Sequence, residues 1–123
     1  MKLFITTVVS AALFAAAPVL AHTQAKAQYG GVVASGGDLS FELASDAAGA
    51  AVYVVDHGKP ADAAGMGGKL TVLNGTQKSE AALKPAGANK LVATGIKLEK
   101  GAKAVAAVQT SAGNTVTVRF ANP

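Results

Sequence analysis

Asp56 and His57 stand side by side, the one acid–imidazole pair in the chain. They follow an apolar run, Tyr53-Val54-Val55, and precede Gly58, Lys59 and Pro60. Neutral imidazole is the commonest protein ligand for zinc and copper. A carboxylate beside it adds a hard oxygen donor. Successive strand residues point to opposite faces, so both groups reach one ion only if the strand has ended by His57. Met66, in the segment that follows, offers a soft thioether suited to Cu(I). His22, near the N-terminus, is the only other histidine. The chemistry open to Asp56, His57, Met66 and His22 is coordination of a copper or zinc ion. Lys59 opposes a cation nearby. The same residues also suit a simpler role, with Asp56 and His57 as turn residues bonded to the backbone and Met66 filling a gap.

Whether His22 is available depends on the N-terminus. Met1-Lys2 is followed by an apolar run from Leu3 to Leu20, then by small residues. This order is that of a secretory signal peptide over residues 1–27. The run is short of the ~20 residues that span a bilayer, and nothing after it reads as a membrane span. Two cleavage sites fit the small-x-small rule. Val19-Leu20-Ala21 places the cut before His22, and Ala25-Lys26-Ala27 places it before Gln28. No cysteine follows, so no lipid anchor is expected. The expected location is the periplasm, with residues 28–123 forming one domain.

Charge and composition narrow the partners. Cutting after Ala27 removes Lys2 and Lys26 and leaves nine basic residues against seven acids, a net of +2; cutting after Ala21 keeps Lys26 and gives +3. That surplus is small, and no basic run is interleaved with aromatics, so nucleic acid is excluded as a partner. With no cysteine, the domain rests on its core rather than on disulfides.

The elements that would position the pair are strands. Glycines recur every few residues, which leaves no room for a long helix and favours short strands joined by tight turns. Residues 29–34 form an entry strand, and 35–38 turn. Residues 39–43 alternate, with Leu39, Phe41 and Leu43 inward and Ser40 and Glu42 outward. Residues 51–56 follow after a five-residue connection, and both faces of that strand are apolar, as in a covered central strand. Asn74-Gly75 between runs 69–73 and 76–83 marks a hairpin. Pro85 breaks the sheet. Strands at 90–94, 103–110 and 115–121 complete the chain, with 95–101 crossing between sheets. Seven or eight short strands at this spacing predict an antiparallel, Ig-like β-sandwich of about seven strands. The expected core is Phe41, Leu43, Val52, Val54, Leu70, Val72, Leu83, Leu91, Val105, Val116, Val118 and Phe120.

No catalytic set emerges. The serines lack a glycine-elbow context. Gly65-Met66-Gly67-Gly68-Lys69 leads into a strand rather than a helix, so it is not a phosphate loop. A non-catalytic protein is expected.

Gly30-Gly31-Val32, Phe41-Glu42-Leu43, Tyr53 to Pro60, Leu70-Thr71-Val72-Leu73 and Leu83-Lys84-Pro85-Ala86-Gly87 follow one another in this order. The run resembles the small periplasmic β-domains that accompany heavy-metal cation-efflux systems. Tyr29 stands where that family often has histidine. The resemblance implies an accessory of metal resistance, with an efflux adaptor or another periplasmic protein as partner. A mature chain starting at His22, joined by His57, would resemble the Cu(II) site of periplasmic copper-resistance β-sandwich proteins. The alternative is a structural or protein-interaction module that binds a partner by strand addition.

Overall fold

The computed structural model describes residues 25–123. His22, the cut after Ala21 and most of the expected signal peptide lie outside the described residues. Among the described residues nine strands follow in order: β1 (Val32–Gly36), β2 (Leu39–Asp46), β3 (Gly49–Asp56), β4 (Lys59–Pro60), β5 (Gly67–Asn74), β6 (Gln77–Pro85), β7 (Lys90–Thr94), β8 (Lys103–Gln109) and β9 (Thr115–Ala121). Among the described residues no helix is long and apolar enough to cross a membrane.

All strands belong to one antiparallel sheet, in the order β1-β2-β3-β7-β6-β5-β8-β9, with β4 on β3. β7 covers one side of β3 from Gly49 to Tyr53, and β4 takes that side beyond it, at Val55 and Asp56. The ends of the ladder meet. A Cβ at Gly36 in β1 would lie 2.6 Å from Val116 Cγ1 and 2.7 Å from Val118 Cγ1 of β9. Only glycine lets the two edges approach so closely. The sheet thus curls into a nearly closed barrel.

This corrects the expected seven-strand sandwich. A sandwich needs a break where the chain leaves one sheet for another. Here β7 is bonded to both β3 and β6, and β5 to both β6 and β8. Residues 95–102 do cross over, but past β6 and β5 to the far side of β5 within the same sheet. Asn74 holds that crossing in place: its Nδ2 donates to the Lys97 carbonyl at 2.9 Å, and Glu99 N–H donates to its Oδ1 at 3.1 Å. Asn74 is therefore the last strand residue, paired with Gln77, and Gly75-Thr76 make the turn. The connection after β2 is also tighter than expected, with only Ala47 and Ala48 between paired Asp46 and Gly49. Pro85 ends β6 rather than lying outside it, and the entry strand begins at Val32.

The barrel interior alternates large and small side chains around its rows. Leu70, Ala106 and Val118 are in register, as are Val72, Ala104 and Phe120. A narrow barrel has room for one large residue per pair, so alanine is a core residue here. This is why Val105, expected inside, points outward and is only half-buried, while Ala104, Ala106 and Val108 are buried. Val116 is half-buried against the core, and the other ten expected core residues are all buried. Ile96 and Ala102 close the end beside the crossing; Ala63 and Met66 cover the end where β3 finishes.

Candidate functional site

The end of β3 carries the acid–imidazole pair. Asp56 pairs with Lys59 across β3 and β4, which leaves His57-Gly58 as a two-residue turn. His57 has φ of 49° and Gly58 of 80°. Two successive positive values define a type I′ turn, whose twist matches that of the flanking strands. Histidine is among the few side chains that tolerate this region. The strand has thus ended by His57, and the two side chains meet: His57 Nδ1 bonds Asp56 Oδ1. The imidazole is 80% exposed and the carboxylate 52%.

The pair stands at the lip of an open cleft of ≈ 690 Å³. Register places Leu39 opposite Asp56, so the Gly37-Asp38 turn between β1 and β2 lies alongside His57-Gly58. Ser35 and Ser40 line the cleft with their hydroxyl oxygens 3.4 Å apart, and Ala25 brings the N-terminal segment to it. A proton on Nδ1 donates to Asp56 and leaves the Nε2 lone pair for a ligand. A carboxylate that fixes its histidine in this way orients it for a metal rather than binding the metal itself.

Met66 is not in this cleft. It packs against the core, and its N–H donates to the Ala63 carbonyl at 2.9 Å. Among the described residues no three His, Cys, Asp or Glu side chains converge as a metal site. An ion on His57 would need further donors from solvent, a partner or the segment ahead of Ala25. His22 precedes Ala25 by three residues, a span of at most about 11 Å if extended.

A second constellation lies on the outer face of β2, β3 and β7, where Glu42, Tyr53 and Lys90 align across the strands. Glu42 is only 3% exposed. Its Oε1 accepts the Gln28 N–H at 2.6 Å, and its Oε2 accepts those of Tyr29 at 2.7 Å and Gly31 at 2.9 Å. A Cβ on Gly31 would sit 2.1 Å from the Leu43 carbonyl oxygen, so glycine alone lets the segment lie this close to β2. Tyr29 stacks flat on Tyr53, with centroids 3.8 Å apart and planes 3° from parallel. Buried Asn89 donates through Nδ2 to Tyr29 Oη at 3.2 Å and to the Val54 carbonyl at 3.0 Å.

Alternation places Glu42 outside, and it is outside; what alternation misses is the chain segment laid over it. The available signal was an acid set between two apolar residues, Phe41 and Leu43, in the 39–43 run. Tyr29 and Asn89 carried no such signal.

Lys90 completes the face. Its Nζ sits 2.6 Å from Asp46 Oδ2 and 5.9 Å from the Tyr53 ring centre. Its hydrogen bond, with a further one from Ala48 N–H, holds the Asp46 carboxyl below its ordinary 3.8. Asp46 in turn holds Lys90 above its ordinary 10.5. A depressed carboxyl contributes stability above pH 3.8 that is lost as pH falls toward the folded value. A raised amine contributes stability below pH 10.5 that is lost as pH rises past it. Lys90→Met is therefore expected to shrink both losses. Melting temperature followed from pH 2 to 11 checks this; equal acid and alkaline limbs in variant and wild type would count against it. The effect is small, as for surface pairs in general.

Comparison with family models, with curated proteins and with solved structures finds no match to this chain.

Proposed function

We propose that this is a non-catalytic periplasmic accessory of heavy-metal handling that takes a copper or zinc ion on His57. The observation that carries this is the Asp56–His57 bond on an exposed, tightly turned loop. It presents an oriented imidazole at the lip of a cleft formed between the β1–β2 and β3–β4 turns. Asp56 acts as the orienting group. A heavy-metal efflux adaptor or another periplasmic protein would receive or deliver the ion. The other reading, strand addition, would use the exposed edge Gln77–Ala82 of β6, which β7 pairs only from Leu83 onward, because the two ends of the ladder pack against each other.

Titration of the exported protein with Cu(II) and Zn(II), followed by calorimetry, tests the site. Wild type is expected to bind one of the ions with Kd on the order of 10 μM or tighter, about −7 kcal/mol. His57→Ala is expected to lose that binding. Asp56→Asn is expected to weaken it by roughly 10- to 100-fold, as removal of an orienting carboxylate does. Met66→Leu should leave it unchanged, because Met66 is engaged with the core. If neither ion binds, or if His57→Ala binds as well as wild type, the proposal fails.

A further inference from the structure

Glu42 is an ionisable group that the metal chemistry does not use. It is a carboxylate 3% exposed, and among the described residues no cationic side chain forms an ion pair with it. Lys90, the cation aligned with it across the strands, is engaged by Asp46. A buried carboxylate without a counter-charge is costly even when amides surround it. Its shortest contact, 2.6 Å, is to the backbone nitrogen of Gln28. Contacts that short are typical of charge-assisted bonds. Ala25-Lys26-Ala27 immediately precedes that nitrogen and satisfies the small-x-small rule for signal peptidase.

We infer that the chain is cut between Ala27 and Gln28, and that Glu42 is the receptor for the new N-terminus. In the cut, a signal-peptidase-type protease and one water break the Ala27–Gln28 peptide bond. The water's hydroxyl goes to the Ala27 carbonyl carbon. Its proton goes to the Gln28 nitrogen, which takes a further proton from solvent as an α-ammonium. That ammonium supplies the positive charge that Glu42 lacks. The Tyr29 and Gly31 amides hold the other carboxylate oxygen, and the Tyr29–Tyr53 stack fixes the segment's direction. Of the three nitrogens that Glu42 accepts from, Gln28 alone bonds Oε1, and it is the one the cleavage rule frees. The cut also removes His22, so a metal on His57 would draw its remaining donors from solvent or a partner.

The test begins with the full chain exported by a Gram-negative host. Intact mass and N-terminal sequencing are expected to give a protein starting at Gln28 with a free amine. A start at His22, retention of residues 1–27, or cyclisation of Gln28 to a neutral lactam would overturn the inference. The charge is then read by NMR titration of the Gln28 α-carbon. Its midpoint is expected at least about one unit above the ordinary 7.7–8.0 of an α-amine, a tenfold shift in the equilibrium. Glu42→Gln should return it to that range. An unshifted wild-type midpoint overturns the inference by itself, whether or not the variant folds. None of these measurements involves a metal, so they succeed or fail separately from the function proposed for His57.

Discussion

Phe41→Ala is expected to lower the unfolding free energy by about 4 kcal/mol, within the range for emptying a buried aromatic site. Phe41 is 0% exposed in the middle of β2. Its partners across the ladder are Ala34 on one side and Val54 on the other. Neither reaches far enough to fill the space the ring leaves, so the cavity persists and the loss stays large. For a domain of this size the melting temperature should fall by roughly 20 °C. Urea unfolding checks it: the midpoint should drop with the slope unchanged. The comparison that separates barrel from sandwich is on β8. Val108→Ala removes an interior side chain that is 0% exposed, whereas Val105→Ala trims an outward one that is half-buried. The first is expected to cost about 2 kcal/mol and the second well under 1. A larger loss at Val105 would reverse the faces of the strand and with them the barrel interior.

Strand positions were legible because alternation survives in each segment. β7 and β9 fall where the sequence places them, at Lys90–Thr94 and Thr115–Ala121. The assembly was less legible, for reasons that particular residues show. Binary patterning treats alanine as filler, but Ala104 and Ala106 are interior residues matched to Val72 and Leu70. The face of β8 was therefore ambiguous until its neighbours were known. Gly36 reads as a turn residue, yet its main consequence is the contact with Val116 and Val118 that brings β1 against β9. That contact joins residues about eighty positions apart, and local pattern carries no trace of it. The two-residue β4 was missed because Lys59-Pro60 looks like loop, and only the register with Val55 and Asp56 makes it a strand. The His57 turn was the most legible part of the candidate site, since acid, histidine and glycine at a strand end mark a tight turn whether or not an ion binds there. Glu42 was the least, because its burial comes from residues 28–31, whose path no periodicity predicts.

That path is also the basis for the second large effect. Glu42→Ala is expected to cost about 2–3 kcal/mol. Three hydrogen bonds to a charged acceptor contribute roughly 1.5–3 kcal/mol each. Against this, ordering four backbone residues costs about 1–2 kcal/mol apiece. The two totals nearly offset, so the net docking energy comes from the Tyr29–Tyr53 stack and from the close fit of Gly31 against β2. When Glu42 is removed the segment can release and recover its entropy, which caps the loss below that of Phe41→Ala. The same balance makes the response local before it is global. Amides of Tyr29 and Gly31 should lose hydrogen-exchange protection by at least roughly tenfold, while those of β5 and β8 change only by the shift in global stability. Tyr29→Ala, which keeps the carboxylate but removes the stack, should loosen the same segment at a smaller cost of about 1–2 kcal/mol. If Glu42→Ala left the exchange of Tyr29 and Gly31 unaltered, the carboxylate would not be what holds the segment to the barrel.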